Sequence, residues 1–69
     1  MNAYEKDVHS LVYQAWRLAS PDARRRYDKW MTEHMEISMC FAEWGMKQLK
    51  WMESDTEWAE CVMLARLMG

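Results

Sequence analysis

Two histidines, two cysteines, a run of three arginines and eleven acids are the residues of this 69-residue chain whose types could do chemistry. A tetrahedral zinc site would need several nitrogen and sulfur ligands on one side of the fold. His34 and Cys40 are six residues apart, about 240° around a helix, so they face away from each other. His9 and Cys61 would have to arrive from other helices. No serine lies in a nucleophile elbow, neither histidine has a triad setting, and the acids are scattered along polar faces. No catalytic, metal or cofactor role is expected.

The charge feature that resists a plain solvated-surface reading is Arg24-Arg25-Arg26, with Arg17 before it and Lys29 after it. Cations at a helix N-terminus oppose the macrodipole, and Arg25 faces Lys29 at i,i+4; Asp22 offsets only part of this. A solvated face is the plain reading of such a run, and the functional ones are an acidic protein partner or a phosphate backbone. Glu53, Asp55, Glu57 and Glu60 form an acidic patch toward the other end. A net charge of −2 and a pI near 5.6 give no field that favours nucleic acid or an anionic membrane. The expected partner contacts are Arg17, Arg24, Arg25, Arg26, Tyr27 and Trp30. Because the run sits unfavourably, replacing the three arginines by glutamine is expected to leave stability equal or slightly higher.

These side chains must be carried by helices. Only two glycines and one proline punctuate the chain, too few for the turns of a sheet protein, so a single all-α domain over residues 1–69 is expected. Asn2 with Glu5 can cap a first helix over about 3–19, whose stripe is Tyr4, Val8, Leu11, Val12, Ala15 and Leu18. Ser20-Pro21-Asp22 ends it and starts a second helix. Tyr27, Trp30, Ile37, Phe41, Trp44 and Trp51 continue at helical spacing, which predicts one long central helix over 21–52. Ser54-x-x-Glu57 reads as the capping box of a third helix over 55–67, with Trp58, Cys61, Val62, Ala65 and Met68 as its stripe. A chain unbroken from Pro21 to its end is the rival reading.

The long helix has a second row, Met31, Met35, Ser38, Ala42, Gly45, Leu49 and Met52, with Met39 beside it. Small residues there would let another helix approach closely. Two rows need two covers, and five tryptophans and eight methionines exceed what a three-helix core of this size can hide. The expected architecture is therefore a long central helix flanked by two shorter antiparallel helices in an intertwined or coiled-coil-like homodimer, with this row at the interface. The tryptophans fall at multiples of seven, but Pro21 and the Ser54 box interrupt the phase. Cys40 and Cys61 read as reduced buried thiols, since paired helices would place them roughly 10 Å apart along their axes. No signal-peptide pattern and no membrane-length apolar run occur, so a soluble, cytoplasmic protein is expected.

A short, Met- and Trp-rich, linker-free helical chain such as MNAYEKDVHSLVYQAWRLASPDARRRYDKWM resembles the small host-modulating proteins encoded by bacteriophages, among them anti-activators that bind quorum-sensing transcription factors. The likeness is one of size and style and carries no residue role. It implies an inhibitor that sequesters a host protein, with adaptable methionines at the contact. The alternative is a helix-turn-helix-like DNA-binding regulator using the Ser20-Pro21 corner and the arginine run, against which the acidic balance counts.

Overall fold

A computed structural model describes the backbone of residues 3–68 and the side chains of residues 7–68. The Asn2–Glu5 cap and Tyr4 fall outside the described side chains. Among the described residues the chain forms four α-helices and no strand: α1 (Ala3–Leu18), α2 (Pro21–His34), α3 (Phe41–Ser54) and α4 (Thr56–Met68). Among the described residues no helix is long and apolar enough to cross a membrane.

The Ser20-Pro21 boundary falls where local chemistry puts it. Ser20 is extended, its hydroxyl accepts from the Ala23 amide at 3.1 Å, and Pro21 occupies the first turn, where its missing N–H costs nothing. The last boundary lies one residue beyond the expected box. Asp55 Oδ1 accepts from the Trp58 amide at 3.1 Å and is the effective cap, while the Ser54 hydroxyl turns back to donate to the Trp51 carbonyl.

The expected helix over 21–52 is broken, and this is the main correction to the architecture. Met35 and Cys40 are extended and flank a turn in which the Met39 amide donates to the Glu36 carbonyl at 3.1 Å. Nothing at Met35–Cys40 forbids a helix; the break follows from burial. An unbroken helix of that length would extend roughly 48 Å, and α1 could cover only half of it. Reversal folds both halves onto one core and stacks Trp30 against Trp44 and Trp51, with ring centroids 5.6 and 5.4 Å apart.

The core is built from Val12, Ala15, Ala19, Ala23, Tyr27, Leu49, Met52, Trp58, Cys61, Val62 and Ala65. Trp58, Met52 and Val62 are its largest fully buried side chains, each contributing roughly 2–3 kcal/mol of apolar transfer. Ser20 meets Glu57 while Leu11 and Gln14 border Ala65 and Arg66, so α1 and α4 run antiparallel. α1, α3 and α4 pack backbone to backbone, whereas α2 reaches them mainly through long side chains. One of these is Tyr27, whose hydroxyl donates to Gln48 Oε1; Gln48 in turn donates to the Trp44 carbonyl at 3.2 Å.

The row expected to face a second chain is not one surface. Gly45, Leu49 and Met52 are buried within their own chain, Met31 packs on the edge of the same core, and Ala42 is half-buried. Gly45 lies at a close crossing with α1: a Cβ there would meet His9 Nε2 at 2.7 Å and Val8 Cγ1 at 3.0 Å. Close approach is thus what the small residue serves, but within the protomer. Met35, Ser38 and Met39 belong to the connection, where Met35 and Ser38 are exposed and Met39 half-buried.

Candidate protein-binding surfaces

The reversal at Met35–Cys40 brings the basic start of α2 against the acidic start of α4. Arg26 presents its guanidinium edge to Asp55, Nε to Oδ2 and Nη2 to Oδ1 at 3.1 Å each, and Nη2 also reaches Glu57 Oε1 at 3.1 Å. This fork geometry is the favourable one for a carboxylate. Hydrogen bonds to Asp55 and then Glu57 raise the Arg26 pKa. Asp55 is held below the usual carboxylate range chiefly by Arg26, and Glu57 by the Ser20 hydroxyl first and Arg26 second.

Arg24 is also engaged within the chain. Its Nε and Nη2 donate to the carbonyls of Trp16 and Arg17 at 3.0 and 3.1 Å, and its guanidinium carbon lies 4.0 Å from the Trp16 ring centroid. The last turn of a helix leaves carbonyls without intrahelical donors, and Arg24 satisfies two of them across the corner. Arg25 pairs with Asp22 at the surface, and Arg17 lies over the exposed Tyr13 ring at 5.9 Å. Of the expected contact residues, Tyr27 is buried and Trp30 half-buried in the aromatic stack. The cluster read from sequence therefore divides: Arg24, Arg26 and Tyr27 hold α2 in place, and Arg17, Arg25 and part of Trp30 face outward.

The apolar surface lies elsewhere. On α4, Trp58, Cys61, Val62 and Ala65 point inward as expected, but Met68 is exposed. It joins Met63, Leu64 and Leu67 in an outward stripe, with Leu67 the most open at 79%. Positions 63, 64, 67 and 68 follow helical spacing, so α4 is apolar on two faces. The nearly continuous apolar run from Trp58 to Met68 was the available signal; reading only its inward stripe misses the outer one.

A second apolar surface is the connection itself. Ile37 is fully exposed, and Met35 and Phe41 are each more than half exposed. Phe41 is fixed from one side: the His9 ring stacks on it with centroids 3.6 Å apart, and His9 Nε2–H donates to its carbonyl at 2.9 Å.

Among the described residues no group of His, Cys, Asp and Glu could hold a metal ion. Cys40 is exposed, contrary to its expected burial, and Cys61 is buried; both are free thiols. Burial first, then Glu57 and Glu60, pushes the Cys61 thiol up, away from a reactive thiolate. Two open grooves, one lined by Asp7, Leu11, Gln14 and Arg66 and the other by Lys47, Leu49, Lys50 and Glu53, hold no convergent catalytic set. No family model, no curated protein and no solved structure matches the chain.

Proposed function

We propose that this chain is a small protein-binding inhibitor that docks the outer face of α4 into an apolar groove of its partner and blocks it stoichiometrically. The observation that carries this reading is the second apolar face of α4, Met63, Leu64, Leu67 and Met68. A contiguous exposed apolar stripe marks an interaction site, and its members three and four apart, Leu64 with Leu67 and Met68 and Met63 with Leu67, have the spacing of helix-in-groove anchors. Methionines at two of the four positions adapt to a partner's shape. The partner class implied by the resemblance is a cytoplasmic transcriptional regulator of a bacterial host. The exposed connection, Met35, Ile37 and Phe41, supports self-association as a homodimer.

The test is affinity capture from the source cell with the wild-type chain and a Leu64→Glu/Leu67→Glu variant. Both positions are outside the core, so the variant keeps its helicity and melting temperature. One protein retained stoichiometrically by wild type and lost by the variant is expected; equal retention by both moves the contact off α4 and overturns the reading. Nonspecific duplex DNA across a salt series is the control arm. With Arg24 and Arg26 engaged internally, Arg17, Arg25 and Lys29 neutralise too few phosphates to hold a duplex. Tight binding with a steep salt slope would favour the DNA-binding alternative instead.

A further inference from the structure

The segment Met35–Cys40 is a connection made of helix-compatible residues. It contains neither Gly nor Pro, and no residue in it has positive φ. α3 opens at Cys40 with no side-chain cap, so its first amides gain nothing from the break. Helical spacing runs straight across it: Trp30, Ile37, Phe41 and Trp44 are seven, four and three residues apart. Yet in the folded hairpin Ile37 is fully exposed beside exposed Met35 and Phe41.

The register of α2 on α3 says what could cover them. Tyr27 meets Gln48 and Trp51, and Trp30 meets Trp44 and Trp51, so residues placed about equally on either side of the Ile37–Cys40 stretch face each other across the hairpin. If the connection straightened, two copies of the merged helix would lie antiparallel and form the same pairs between chains. Their two-fold axis would then fall within Ile37–Cys40, bringing the Met35, Ile37 and Phe41 regions of both copies together. The other links between the two halves, Trp58 Nε1 to the Ala23 carbonyl, Arg26 to Asp55 and Glu57, Ser20 to Glu57 and His9 to Phe41, would re-form in trans unchanged.

We propose that the occupant of this apolar surface is a second copy of the chain, in a segment-exchanged dimer: Met35–Cys40 becomes helical, α2 and α3 merge, and α1–α2 of each copy packs on α3–α4 of the other. The inference rests on the self-association reading and specifies its form. Exchange of this kind reuses contacts the monomer already makes and is a low-cost route to a dimer. The merged connection gains helical hydrogen bonds in place of exposed amides, and the two Ile37 side chains leave water.

Sedimentation at micromolar concentration and an intrachain distance test it together. Spin labels at Lys29→Cys and Ser54→Cys, on a Cys40→Ser/Cys61→Ala background and diluted with unlabelled chain, report the distance within one copy. The exchanged form expects about 38 Å of helix axis between them; the hairpin expects the short separation that the Arg26–Asp55 contact imposes. A dimer with the long distance supports the exchange. A dimer with the short distance overturns it and leaves self-association standing, whereas a monomer overturns both. Ile37→Pro gives a second reading. Proline fits the second position of the Glu36–Met39 turn and forbids a helix through it, so the dimerisation constant should weaken at least tenfold; an undiminished dimer overturns the exchange.

Discussion

The indole N–H of Trp58 donates to the Ala23 carbonyl at 2.8 Å where α4 meets α2, and both residues are wholly buried. The ring also contacts Tyr27 and Trp51, with centroids 5.4 and 6.1 Å away. One side chain thus supplies apolar filling, aromatic contact and the polar link that sets the height of α2 over the core. Trp58→Phe keeps most of the volume and loses the donor. It should cost about 1–3 kcal/mol in denaturant unfolding, and Trp58→Ala about 3–5 kcal/mol. Near-equal stability of Trp58→Phe and wild type would mean the bond does not position α2.

Gly45 should resist even alanine. A Cβ at this position falls 2.7 Å from His9 Nε2 and 3.0 Å from Val8 Cγ1, and His9 cannot withdraw without leaving the Phe41 ring and carbonyl. Overpacking of this kind costs roughly 1–3 kcal/mol, while the gain in helix propensity is about 1 kcal/mol. Gly45→Ala is therefore expected to destabilise by about 1 kcal/mol. With His9→Ala the nearest obstruction is gone and only Val8 Cγ1 at 3.0 Å remains, so the same change should cost less than in wild type; a double-mutant cycle by chemical denaturation reads the coupling.

The Ser20-Pro21 boundary and most of the inward stripes of α1 and α4 were legible because they depend on neighbours in sequence: Ser20-Pro21 carries its own cap, and Val8, Val12 and Ala15 or Trp58, Val62 and Ala65 repeat at helical spacing, although Leu18 and Met68, expected in these stripes, are exposed. The break at Met35–Cys40 was not, because no residue there resists helix. It is set by contacts between residues about 14 to 21 apart, Trp30 with Trp44 and Trp51 and Tyr27 with Gln48. The same reversal changes the meaning of the charges. As local features, Arg24–Arg26 oppose a helix dipole; once α2 folds back, Arg26 faces Asp55 and Arg24 caps the end of α1.

The arginine run should accordingly separate residue by residue. Arg25→Gln removes an exposed pair with Asp22 and should leave stability within about 0.5 kcal/mol of wild type. Arg24→Gln loses two carbonyl contacts and the Trp16 stack and should cost about 1 kcal/mol. Arg26→Gln should lower the melting temperature further than Arg25→Gln, because two carboxylates at the α4 start lose their shared cation. A triple variant melting at or above wild type, as local sequence reasoning expects, would show that these contacts are not held in solution.

Stability should fall at both ends of the pH range, for different groups. Asp55 and Glu57 have depressed pKa values in the fold, while in the unfolded chain they titrate near about 4. On acidification the unfolded state takes up protons first, so the stability these groups supply is present above about pH 5 and is lost as pH falls through their folded values. Tyr27 runs the other way. Burial, then the charge of Asp28, pushes its phenol up to about 12, against about 10 when unfolded. Its contribution is present below about pH 10 and is lost as pH rises toward 12, where the unfolded chain has released a proton that the fold retains. Denaturation midpoints measured across pH should therefore drop below about pH 5 and again above about pH 10. Asp55→Asn/Glu57→Gln should flatten the acid limb while leaving the alkaline one, and Tyr27→Phe should weaken the alkaline limb, leaving the part that the buried Cys61 thiol supplies, while leaving the acid one. An acid limb unchanged in the first variant would place the titrating carboxylates away from Arg26.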